Sequence, residues 1–343
     1  MGILRGVTGL TSKVIKDRPW LNPGLDAALD LLPTLPPEPA VEHVLAHLSR
    51  IRLDIEAHVQ ATDAFGKNLT GRLDVLRWRA GYSAQRDDDG TRADLLALLG
   101  RTLVDRAWEV RGSGRATSVS ATAAQEFHRL LHEADEVLDT AIQTAFHHPA
   151  AATARLWTAV GLGVEPVEAQ SRFQEATLLR GSLFPAHWAM LSYLCRKWYG
   201  SDDAMFHFAR TVARDAPAGD PVGAMLPFAH AEYFLSLNMF PPSMNGFKPD
   251  LMSRRARKDD LPAVLEASRR WVGDGTGPIP EHARSVEAHQ LFAWYFEITG
   301  GQRDLARWHL ERAHRRMNPI PWAYMPLPDT MAFRSAYMRL GLG

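Results

Sequence analysis

Apolar residues recur three and four positions apart along nearly the whole chain, and the strict alternation of a half-buried strand is scarce. β-branched residues are few beside Ala, Leu and Arg, which favours helix at most positions. The expected fold class is therefore all-α. Clusters of Pro, Gly, Asp and Ser break the pattern at 32–39 (LPTLPPEP), 85–90 (QRDDDG), 111–114 (RGSG) and 238–250 (NMFPPSMNGFKPD). These breaks predict an amphipathic first helix with a Pro-rich tether over 1–39 and a helical block over 40–118. A third block follows over 119–343, with an insertion at 238–258. In the second block Val41, Val44, Leu45, Leu48, Ile51, Ile55 and Val59 keep helical spacing, so one face is expected to be buried.

From residue 119 the chain begins to repeat itself. The pattern Ala-x3-Leu/Phe-x2-Ala occurs at Ala134, Leu138, Ala141, at Ala169, Phe173, Ala176, and at Ala306, Leu310, Ala313, with a partial copy at Ala204 and Phe208. The leading alanines 134, 169 and 204 are 35 residues apart, and the step from 204 to 306 is 102, three units of 34. Turn residues fall in phase at Gly163 to Pro166, Tyr199 to Ser201, and Gly300 with Gly301. Trp188 stands sixteen residues before Ala204, and Pro217 and Pro319 stand near repeat ends. This arrangement resembles the tetratricopeptide repeat. The resemblance implies an α-α superhelix of stacked helical hairpins behind an N-terminal helical block, in which small residues let paired helices approach. Residues 119–147 lack a turn, so one long helix is expected there. The stretch FPAHWAMLSYLCRKWYGSDDAMFHFAR is also similar to actinobacterial helical proteins of unassigned function.

Charge narrows the choice of partner. With 39 basic and 39 acidic residues there is no net pull toward nucleic acid or anionic lipid. Cys195 is the single cysteine, which excludes an internal disulfide, fits a reducing compartment and reads as a small buried hydrophobe. The first twenty residues lack the apolar core and cleavage site of an export signal, and Gly6 stands where a myristoylation motif needs Ser or Thr. The most apolar window, 221–240, is interrupted by Pro227, His230 and Glu232 and reads as a core helix, so a cytoplasmic protein is expected.

Candidate chemistry is sparse. His43 with His47, and His128 with His132, are spaced for two metal ligands on one helix face, but no third ligand follows from spacing and neither pair forms HExxH. No metal and no cofactor are expected. The acids of RDDDGTRADLL (86–96) are consecutive where a calcium loop staggers them, so they read as a loop before a helix. SRRARKDD (253–260) reads as a charged, exposed loop before a helix starting near Asp259. No Walker loop, G-x-S-x-G or cysteine-protease signature occurs.

The leading functional reading is a non-catalytic adaptor that binds a peptide or partner protein in a concave face. The resemblance implies that Ala189, Tyr193, Arg196, Lys197, Leu291 and Tyr295 line it, where rings supply rigid area and cations pair carboxylates. Within the insertion at 238–258, the loop NMFPPSMNGFKPD (238–250) exposes Met, Phe and Pro and could pack back into that groove as a lid. A second reading is an enzyme using His187, His207, His230, Glu232 or Asp203 as acid or base. A third is a structural subunit that docks on copies of itself.

Overall fold

A computed structural model describes residues 13–112, 114, 118–239, 249–275 and 277–343. These residues form seventeen α-helices and two strands of two residues each, so the chain is all-α. It divides into two compact units, Asn22–Ser201 and Met1–Leu21 with Asp202–Gly343. The divisions thus fall at 21/22 and 201/202, where the sequence breaks suggest 39/40 and 118/119.

The first unit runs α1 (Pro23–Leu31), α2 (Pro37–Ile51), α3 (Ile55–Asn68), α4 (Leu73–Gly81), α5 (Ser83–Arg86), α6 (Asp89–Arg111), α7 (Ala121–Thr144), α8 (Pro149–Leu162), α9 (Pro166–Thr177) and α10 (Phe184–Leu194). Side-chain caps set many of the starts, satisfying backbone N–H groups that the first turn leaves bare. Asn22 accepts from Leu25, Asp54 from Ala57, Asp88 from Thr91, Ser120 from Ala123 and His148 from Ala151. Proline opens α1, α2, α8 and α9, where its missing N–H costs nothing. The Pro-rich stretch is accordingly not a tether. Leu32–Thr34 makes a 3-10 turn and Pro37 starts α2. The apolar face from Val41 to Val59 is split between two helices at 52–54, where the Asp54 cap restarts the helix. Asp88 caps α6 as the loop reading of 86–96 requires.

The heart of this unit is the trio α6, α7 and α8. The expected single long helix forms as α7, 24 residues without a turn. Two glycines bring its neighbours in. A Cβ at Gly100 of α6 would sit 2.4 Å from the Leu138 side chain, and one at Gly161 of α8 would sit 2.2 Å from Leu131. Leu131, Ala134, Leu138 and Ala141 are buried between them. At the next turn Gly163 takes a left-handed φ of 67° and releases α9, where Ala169 and Ala176 are buried.

The second unit contains α11 (Asp202–Asp215), α12 (Met225–Met239), α13 (Pro249–Val272), α14 (Ser285–Thr299), α15 (Arg303–Glu311), α16 (Pro319–Trp322) and α17 (Asp329–Arg339). Its two short strands, β1 (Ile15–Lys16) and β2 (Arg316–Met317), pair in parallel. Of the first helix expected from sequence, residues 1–12 lie outside the described residues, and Ile15 and Lys16 are strand. Of the apolar window 221–240, residues 221–224 form a 3-10 turn and 225–239 form α12, which is buried from Met225 to Glu232, while residue 240 lies outside the described residues. α14 is the centre of the unit. From Val286 to Phe296 every residue is buried, the polar Glu287, His289 and Gln290 included, as in a helix enclosed by others. Gln290 holds it to the C-terminal segment by accepting from Asn318 N (3.0 Å) and Trp322 Nε1 (2.9 Å). Gly300 and Gly301, both at φ 81°, turn the chain into α15, where Ala306 and Leu310 are fully buried, as is Ala313 just past its end.

The charged stretch 253–260 is not a loop. It lies within α13, which begins ten residues earlier than Asp259 and runs through Pro262. Ser253, Arg257 and Asp260 share its buried face with Val264, Ala267 and Trp271. Of the insertion at 238–258, residues 240–248 lie outside the described residues, so its lid reading concerns a segment not described.

Candidate functional site

Each unit gathers buried polar groups. In the first, His58 on α3 and His148 at the start of α8 both place Nε2 on Asp94 Oδ1 of α6, at 2.9 and 3.0 Å. Arg52 donates to the other oxygen from Nε at 3.0 Å and Nη2 at 2.5 Å. Burial works to raise the Asp94 pKa, but the hydrogen bonds from His148 and His58 and the Arg52 guanidinium outweigh it and hold the carboxyl well below the usual range. Burial pushes the His148 imidazole down, against the pull of Asp94.

The three side chains could surround an ion, since their ligand atoms lie within 4.8 Å of one another. The donor chemistry points elsewhere. His148 Nδ1 accepts the Ala151 N–H at 3.2 Å, which places the ring proton on Nε2 and makes that nitrogen a donor to Asp94. A metal at Nε2 would have to break the helix cap and sit beside the Arg52 cation. The cluster is a buried carboxylate satisfied by three donors from three parts of the unit.

The second unit has two such groups. His230 of α12 donates Nε2 to Asp260 of α13 at 3.0 Å, and Arg210 of α11 grips the same carboxylate at 2.8 and 2.9 Å. Further along, Ser268 Oγ, His309 and His289 form a hydrogen-bonded chain, with 2.9 Å from Ser268 to His309 Nε2 and 2.8 Å between the two Nδ1 atoms. Burial depresses both imidazoles, His309 to about 3, so both are neutral and one N–H lies between them. Trp271 and Phe292 stack on His309, and all of these groups are enclosed in the core.

The concave-face residues fare unevenly. Ala189, Tyr193, Leu291 and Tyr295 are all buried, because α10 and α14 are covered by neighbouring helices on the sides where these residues project. Tyr193 donates to the Val164 carbonyl at 2.6 Å, and Tyr295 donates to that of Arg257. Arg196 is exposed and Lys197 half-buried, both beyond the end of α10. Of the five acid-base residues, three bond separate partners and two are exposed. His187 bonds the Leu183 carbonyl, His230 bonds Asp260, and Glu232 accepts from Tyr324 at 2.6 Å. Asp203 and His207 are exposed. Of the spaced histidine pairs, His47 is buried against Phe65 while His128 and His132 are exposed.

A cleft of about 180 Å³ opens in the first unit between Glu38, Val41 and Glu42 of α2, Val75, Trp78 and Arg79 of α4, and Arg86. Arg79 is the most buried charged residue of its lining. It is buried, donates to Glu42 at 2.7 Å and clasps Asp87 through both Nη atoms at 2.7 Å. Those bonds, Asp87 first, hold its guanidinium more firmly protonated than usual. Above it Trp78, 48% exposed, packs on Tyr82, 57% exposed, with ring centres 5.4 Å apart. Sequence periodicity missed this surface, because α4 carries no clear apolar stripe from which to read an outward face.

No family model matches the chain, and comparisons with curated proteins and with solved structures gave no match either.

Proposed function

We propose that this chain is a non-catalytic interaction module, cytoplasmic, whose helices stack as tetratricopeptide-like hairpins, and that it grips a basic side chain of a partner protein or peptide in the Trp78 cleft. The observation that carries the reading is the pair of half-exposed rings, Trp78 and Tyr82, beside that cleft. Volume separates the ligand classes. A pocket for a drug-sized molecule or cofactor measures roughly 300–1,000 Å³, so about 180 Å³ suits one anchoring side chain. Surface aromatic rings beside such a pocket are what binding hot spots are made of.

Charge argues for a cation. Glu42 pairs with both Arg79 and Arg86, Asp87 pairs with Arg79, and Glu38, which lines the cleft, makes no ion pair among the described residues. An arginine or lysine lying over Trp78 would gain the ring and the Glu38 carboxylate together. Support for the hairpin reading comes from Gly163 and Gly300 at the turns and from the buried alanines of α9 and α15. The non-catalytic reading is supported by His58, Asp94, His148, His230 and Asp260, whose hydrogen bonds tie helices together.

A displayed library of random peptides, selected on the wild type and counter-selected on Trp78→Ala, tests the proposal. Enriched peptides should carry Arg or Lys, bind Trp78→Ala about 30-fold more weakly as for a hot spot of ~2 kcal/mol, and lose about tenfold on Glu38→Gln. Peptides that bind both proteins alike, or that lack a basic residue, would overturn it.

A further inference from the structure

The second unit contains a buried cation without a counter-ion. Arg257 of α13 is 5% exposed, its Nη1 donates to Ser253 Oγ one turn back, and its Nε has no partner. It forms no ion pair among the described residues. The nearest buried carboxylate along the helix, Asp260, is already taken, with one oxygen on Arg210 and the other on Arg210 and His230. Other charges nearby do not supply the need. Arg254 is a like charge that opposes Arg257, and Asp250 is exposed on the first turn of the helix. Tyr295 stands close but donates its proton to the Arg257 carbonyl.

A lysine or histidine in this position would shed its proton, which is how isolated buried cations usually resolve. A guanidinium cannot do so at neutral pH. Burial lowers the Arg257 pKa to about 10, which leaves it charged. Among the described residues, every other guanidinium of comparable enclosure meets a carboxylate: Arg79 meets Asp87, Arg172 meets Asp135 and Arg284 meets Glu287.

We infer that Arg257 anchors a small monocarboxylate ligand in the second unit, with Nε and Nη as the donors and Ser253 holding the guanidinium in place. One unbalanced positive charge in an enclosed position calls for one negative charge, and the planar two-donor edge of a guanidinium matches the two oxygens of a carboxylate. A phosphate dianion would replace one unbalanced charge with another. This site is independent of the Trp78 cleft, which lies in the other unit.

Thermal unfolding of the full chain in acetate or propionate, against phosphate and chloride at constant ionic strength, tests the inference. The midpoint of the wild type should rise with acetate or propionate and saturate, as stabilisation by a native-state ligand does. Arg257→Met should abolish the dependence, while Arg254→Gln should retain it. Should Arg257→Met fail to fold, Ser253→Ala serves in its place, with an apparent affinity at least about tenfold weaker. A wild type indifferent to carboxylates overturns the inference, as does an equal response to phosphate or an unchanged response in Arg257→Met or Ser253→Ala.

Discussion

Asp94 sits in the apolar run ADLLALLG, and a carboxylate placed there must find its donors inside the fold. That demand is legible in sequence, since a lone acid on an otherwise buried helix face needs a partner. The identity of the partners is not legible. His58 and His148 lie 36 and 54 residues away, and their convergence depends on how three helices pack. The cluster has consequences for acid stability. Asp94 has a folded pKa below its unfolded value, so its contribution is complete above about pH 4 and is lost as pH falls toward the folded value. His148, His289 and His309 are also depressed, so the unfolded chain takes up protons first and stability begins to fall below about pH 6.5. Denaturant melts at pH 7, 5.5 and 3.5 should therefore show stepwise loss in that order. Asp94→Asn removes the charge that Arg52 faces and should cost about 3–5 kcal/mol at pH 7, measured the same way. An effect under 1 kcal/mol would show that the cluster contributes little.

Among the elements, helix periodicity gave the class, and small residues gave the close contacts. The alanines of α7, α9 and α15 read from sequence are buried. The glycine contacts of α6 and α8 with α7 were not anticipated, because a glycine inside a helix looks like a weakness until a neighbour fills its space. Gly100→Ala should cost about 1–3 kcal/mol by forcing Leu138 aside, and Leu138→Ala should recover part of that loss in the double variant. A simple sum of the two single effects in a double-mutant cycle would contradict the contact. The run of charges at 253–260 masks the helical period of α13. Its core stripe, Ser253, Arg257, Asp260, Val264, Ala267 and Trp271, nevertheless keeps helical spacing throughout. The repeat phase places Leu291 and Tyr295 of α14 in a groove where the structure has an enclosed helix. Apolar residues on every side, from Phe292 to Phe296, carried that information.

Across the whole molecule, the division of the chain was the least legible feature. A two-residue strand has no period, so nothing in sequence announces that Ile15 and Lys16 pair with Arg316 and Met317. The breaks at 39 and 118 mark turns within one unit, whose core is α6, α7 and α8. A fragment of residues 22–201 should accordingly be helical by circular dichroism and unfold cooperatively. A fragment ending at 118 loses α7 and α8 and should not. Equal cooperativity of both would contradict the boundary at 201/202. Among the described residues no helix is long and apolar enough to cross a membrane.

Site-specific photo-crosslinking in the native host tests the binding claim most directly, with a benzophenone side chain at Tyr82 and, as a control, at Leu53, which is fully exposed elsewhere in the unit. The account expects one discrete adduct from position 82 that weakens with Glu38→Gln and is absent from position 53. No adduct at 82, or the same adducts from both positions regardless of Glu38, would contradict it.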